Sequence, residues 1–276
     1  MAVTKAEKAA YNDYIKSYKA DIEEARKAQK ELEVKKKKMP NLEGYMNIEM
    51  LLYSLKIINL YLQMNDSSVE MLNVRNEKFL NEARKEYYKV LQVMEETVGT
   101  DVDRSLKENE EYLQKIDRFT PEDILNIVKE LSGVLQLIID KLGEGSKWRW
   151  SFVELHGRTS VIVKNIINFS DIQKYRDPRT EYYHERQELM DICKRMLNEA
   201  AKNYRNKYEL STKAPEDILR SIEMLTTLRR INILFGESEE AEKLKNTIIA
   251  LRARLDADEK QSEKEKQSEI EKKMKK

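Results

Sequence analysis

Few residues in this chain of 276 could do catalytic chemistry, and their spacing does not favour it. The histidines are His156 and His184. Neither lies in a His-Glu-x-x-His pattern, and a zinc site would need further ligands beside them. Glu154 and His156 are two positions apart, so on a helix they do not share a face. The lone Cys193 cannot form an intrachain disulfide, and it falls in the apolar stripe Leu189, Ile192, Cys193, Met196, where it reads as a small buried hydrophobe. There is no Gly-rich phosphate loop and no Gly-x-Ser-x-Gly elbow. Inward Glu-x-x-His motifs of the ferritin-like kind are missing from every apolar face. The expectation is a protein without catalytic residues, metal or cofactor.

Tyrosine is the side chain that stands out. There are fourteen, among them the adjacent pairs Tyr87-Tyr88 and Tyr182-Tyr183. Neighbours on a helix point about 100° apart, so one of each pair must leave the main apolar stripe. Trp148-Arg149-Trp150 adds two residue types enriched at binding hot spots. Tyr and Trp suit interfaces because they bury apolar area and keep one polar handle. The candidate protein-interface residues are therefore Tyr88, Trp148, Arg149, Trp150, Tyr182 and Tyr183. The competing reading is that these rings fill the protein's own core.

The elements that carry them are helices. Only seven Gly and four Pro interrupt the chain, which favours long helices and short turns. Thr120-Pro121-Glu122-Asp123 and Ala214-Pro215-Glu216-Asp217 write the same helix start twice. Pro at the first helical position loses no hydrogen bond, and the acids complement the positive end of the helix dipole. Two helices using one good cap explain the repetition more simply than a duplication does. Thr4 with Glu7 makes a capping box for a first helix over 4–38, whose seam Tyr11, Ile15, Tyr18, Ile22, Ala25, Leu32 alternates steps of four and three. At about 1.5 Å per residue that helix is roughly 50 Å long. Pro40, Asn41 and Gly44 break it. Further helices are predicted over 46–64, 69–98, 101–117, 121–142, 147–170, 178–208 and 215–235, with a ninth after Ser238. Asn65-Asp66-Ser67-Ser68 is read as ending the second and capping the third, and Gly157 as a close helix approach or a local break. The domains expected are 1–118 with long seam helices, 119–256 as a helical bundle, and 257–276 as a charged tail, a frayed helix or disordered.

Charged residues make up 37% and hydrophobic ones 40%. That balance fits an all-α, elongated multi-helix bundle with long projecting helices better than a sphere. The net charge is +1 with both signs interleaved, so no nucleic-acid partner is expected. The one basic block, Lys35–Lys38, complements a helix C-terminus. The most apolar stretch, 46–62, contains Glu49, Ser54, Lys56 and Asn59 and falls short of a membrane span. The chain as given opens without a signal peptide, which points to the cytoplasm unless one has been removed.

Trp148-Arg149-Trp150 followed by Asp177-Pro178-Arg179-Thr180-Glu181-Tyr182-Tyr183, in a long, charged, tyrosine-rich helical chain, resembles the flagellar coiling protein A family of spirochaete periplasmic flagella. The resemblance is one of overall character. It implies export to the periplasm, a V-shaped helical body and assembly on flagellar filament subunits as a coat. The function expected is thus a non-enzymatic structural protein binding other proteins. The alternative is a cytoplasmic adaptor or scaffold of tetratricopeptide-like hairpins, suggested by the helix-turn-helix texture around Gly236.

Overall fold

The computed structural model describes residues 3–102 and 109–274, with residue 262 and those from 265 on as backbone only. Among the described residues the regular structure is helical throughout, without strands. Helices α1 (Lys5–Tyr14), α2 (Lys16–Lys38), α3 (Glu43–Leu72), α4 (Glu77–Val98), α5 (Glu110–Leu113), α6 (Pro121–Leu142), α7 (Arg149–Ile166), α8 (Phe169–Lys174), α9 (Tyr183–Lys207), α10 (Pro215–Phe235) and α11 (Ser238–Met274) follow in order. Contacts divide the chain into two compact units, Met1–Cys193 and Lys194–Lys276. That division lies within α9.

In the first unit α3 is the central element, packed against α1, α2, α4 and α6. Its apolar residues face all round, so Leu51, Ile57, Ile58 and Met64 are fully enclosed. The seam residues Tyr11, Ile15, Ile22, Ala25 and Leu32 are buried, while Tyr18 is not. The first helix is divided at Ile15, though its i to i−4 bonding continues there: Ile15 N–H donates to Tyr11 and Lys19 N–H to Ile15. Gly44 lies inside α3 rather than in a break. A Cβ there would collide with the carbonyl oxygen of Lys115, so glycine lets the start of α3 rest on the 3-10 turn Gln114–Ile116.

The Asn65–Ser68 cluster does not end α3. Ser67 donates back to the Gln63 carbonyl at 3.0 Å, leaving the helix intact. Asn65 Oδ1 accepts from the Asn76 N–H at 2.9 Å and Ser68 donates to the Val74 carbonyl at 2.7 Å, so the cluster braces the turn that follows. The helix stops at Asn73, left-handed at φ 51°, and Asn76 caps α4.

Tyr87 fixes α4 against two neighbours. Its buried hydroxyl donates to the Leu131 carbonyl of α6 and pairs with Thr159 of α7, both at 3.0 Å. Burial pushes this phenol well above its ordinary pKa. Thr120 and Asp123 form the capping box of α6. Helix α7 passes straight through the buried Gly157, then Asn168 caps α8. The expected helix over 178–208 starts only at Tyr183. Asp177 Oδ1 instead accepts from the Arg179 N–H at 3.0 Å, and the Asp177 carbonyl from the Thr180 N–H at 2.9 Å, closing a turn. The expected helix over 101–117 lies partly outside the described residues, with Leu106; its end is α5 and the turn Gln114–Ile116.

The second unit is a helical assembly of its own. Ser221 of α10 donates to the Ala201 carbonyl of α9 at 2.7 Å. A π-type turn at Tyr208–Thr212 places the Tyr208 hydroxyl 2.5 Å from Asp258 of α11. Burial, then that carboxylate, push the phenol up to about 12. Gly236 at φ 82° turns α10 into α11, where Ala241, Ile248, Leu251 and Leu255 form the buried seam. Helical backbone continues through the charged stretch to Met274.

Candidate functional site

Two places in the first unit gather the aromatic and charged residues. The first is the outer seam between α4 and α7. Positions 84, 88 and 95 of α4 lie along one side of the helix, and Ser151, Glu154 and Arg158 of α7 lie along the facing side. The Arg84 guanidinium stacks on the Trp148 ring, Cζ 3.9 Å from its centroid, and donates to Ser151 Oγ at 2.9 Å. Ser151 Oγ is 2.9 Å from the Tyr88 hydroxyl, which donates to Glu154 at 3.3 Å. One direction of donation satisfies the series: Arg84 to Ser151, Ser151 to Tyr88, Tyr88 to Glu154. Arg158 closes it with two bonds to Glu95, at 2.7 and 2.8 Å, and a contact of 3.6 Å to Glu154. The paired Glu95 carboxylate raises the Arg158 guanidinium above its already high pKa. Both Arg84 and Arg158 lie 5.6 Å from the Tyr88 ring centre.

Tyr88 and Trp148 are both half-buried in this seam. Arg149 is exposed and lies over the half-buried Trp150 ring at 4.7 Å. Trp150 precedes Ser151 by one position, so it is turned about 100° from the seam. Four of the six candidates thus share the first turn of α7 and its α4 neighbour. The sequence offered no signal for Arg84, the cation that lies against both Tyr88 and Trp148.

The other two candidates stand elsewhere. Tyr183 packs edge-on against His184, ring centres 5.5 Å apart. Tyr182 is held left-handed at φ 58° on the wall of a cavity of about 790 Å³. This cavity lies where the turn after α5, the start of α6, the end of α7, α8 and the start of α9 meet. Ile116, Phe119, Ile124, Ile167 and Ile172 make its apolar lining. Arg186, 6% exposed, forms part of the wall. Its Nε donates to Asp171 at 2.6 Å, its Nη1 to the Glu181 carbonyl at 2.5 Å, and its guanidinium stacks on Tyr175 at 4.8 Å. Glu110, Asp117 and Glu181 add carboxylates to the rim.

Among the described residues no three His, Cys, Asp or Glu side chains are grouped to hold a metal ion, and no helix is long and apolar enough to cross a membrane.

Long packed helices around an apolar central helix define an all-α bundle protein. Within that class the chain belongs to the TP0443 family, whose model matches residues 7–259. This is a Treponema-type family, consistent with a spirochaete origin. No curated protein matches the chain. One solved chain, described as "Computational Design of Self-Assembling Cyclic Protein Homooligomers", is similar at 13% identity with a TM-score of 0.27, covering 95% of this chain and 99% of that one.

Proposed function

We propose that this protein is a non-enzymatic structural component that binds other proteins through the aromatic and cationic seam of α4 and α7, as part of the coat of a spirochaete flagellar filament. The observation that carries the reading is the Arg84–Trp148 stack at 3.9 Å, set in a series that ends at Arg158 and Glu95. Side chains fixed in this way lose little rotamer freedom when a partner covers them. Half-buried Trp and Tyr beside Arg are the residue types that dominate binding energy at interfaces. The Treponema-type family supports the spirochaete setting.

Cosedimentation of the full chain with isolated periplasmic flagellar filaments tests it. The double variant Arg84→Ala, Trp148→Ala should bind about thirtyfold more weakly, a loss of roughly 2 kcal/mol. Lack of filament binding by the parent chain would remove the flagellar part of the proposal. Unchanged binding by a folded double variant would remove the seam.

A further inference from the structure

The cavity between the ends of α5 to α9 is separate from the α4–α7 seam and has a chemistry of its own. At about 790 Å³ it falls in the range of small-molecule sites. Its lining is mixed, and the isoleucines with Phe119 give it an apolar part that suits an apolar body. Among the described lining residues Arg186 is the only basic one, and Asp171 neutralises it at 2.6 Å. Its Nε and Nη1 are already engaged by protein oxygens. Among the lining residues Glu110, Asp117 and Glu181 then stand without a basic partner, with Lys174 and Arg118 just outside the lining, over Tyr175 and Tyr45. Glu110 accepts from Ser170 and Asp117 from the Tyr45 hydroxyl, neutral donors that leave the charges in place.

Tyr182 stands on the same wall. Its phenol is pushed above the ordinary range, first by the charge of Glu181, and also by Glu122 and Asp123 at the start of α6.

We propose that the cavity binds an organic cation, an amine or quaternary ammonium carried on an apolar body, with the body among Ile116, Phe119, Ile124 and Ile172 and the cation between Glu181, Glu110 and the Tyr182 ring. An aromatic face and carboxylates together favour a cation over a neutral or anionic analogue of the same shape.

Calorimetric titration of the full chain at low salt with tryptamine, phenethylamine and the anionic analogue indole-3-propionate tests this. Both amines should bind, tryptamine at least roughly tenfold more tightly than the anion. The variant Glu110→Gln, Glu181→Gln should weaken amine binding about fivefold. Both positions are exposed, so its melting curve should match the parent's. Leu113→Trp, which adds bulk to the lining without changing charge, should abolish binding. Failure of both amines to bind, a preference for the anion, or affinity untouched by the double variant and by Leu113→Trp would overturn the proposal.

Discussion

The α4–α7 seam and the cavity use the same side chains in opposite ways. In the seam, Arg84 and Arg158 lie across the outside of two long helices beside half-buried rings, Arg84 bonded to Ser151 and Arg158 to Glu95. In the cavity, Arg186 is turned inward, 6% exposed, and its bonds run to Asp171 and to a backbone carbonyl. The difference follows from the elements beneath. Two long helices side by side repeat their facing positions every three or four residues, so a linear polar series can form. Helix ends leave backbone groups unpaired, and a buried guanidinium can tie several of them together. A row presents a surface, while a junction of ends encloses space.

Removing a guanidinium should therefore cost different amounts in the two places. Arg186→Met removes a guanidinium whose side chain is only 8% exposed, leaves the 29% exposed Asp171 and the Glu181 carbonyl without their donor, and should destabilise the first unit by about 3 kcal/mol. Arg158→Met breaks a pair whose side chains are 29% and 18% exposed, and should cost roughly 1 kcal/mol. Urea unfolding of both variants measures the ratio. Equal losses would mean that the junction is no more dependent on its arginine than the seam is.

The seam should show its role in association rather than in folding. Trp148→Ala removes a ring that is half-buried at the start of α7, and should lower stability by about 1 kcal/mol while filament binding falls about tenfold. The reverse pattern, a large stability loss with intact binding, would make Trp148 a packing residue like Tyr87. Thermal melting and cosedimentation on the same preparation separate the two.

How far these regions could be read from the sequence depends on how local their causes are. The caps at Thr4 and Thr120 were legible because donor and acceptor lie three residues apart. The same logic misread Asn65–Ser68, since polar residues inside a helix can serve a turn beyond it: Asn65 bonds to Asn76, eleven positions on. Trp148-Arg149-Trp150 was legible as an aromatic cluster, but Arg84, the cation stacked on Trp148, comes from α4, three helices earlier. The cavity left no trace, because its wall is assembled from two stretches far apart in the chain, 110–124 and 166–189, neither with a pattern that points to the other. Asp177-Pro178 looked like a helix start, yet Asp177 bonds forward to Arg179 and Thr180 and delays the helix to Tyr183. That delay puts Tyr182 on the cavity wall.

Tyr182 gives the finest measure of the contrast. Glu181 raises its phenol because a phenolate would form beside an existing negative charge. Replacing Glu181 by Gln should bring the phenol back toward its ordinary value of 10.0. The sign for stability follows from linkage. A phenol whose folded pKa exceeds its unfolded one contributes stability that is complete below about pH 10 and lost as pH rises through the folded value. Glu181→Gln should therefore make the alkaline loss associated with this residue smaller. The difference in phenolate absorbance between the parent and Tyr182→Phe isolates this one titration, and the same difference in the Glu181→Gln background should shift to lower pH. A titration that does not move would show that the negative field at the wall comes from Glu122 and Asp123 at the start of α6. The cation proposed for the cavity would then have lost its main counter-charge.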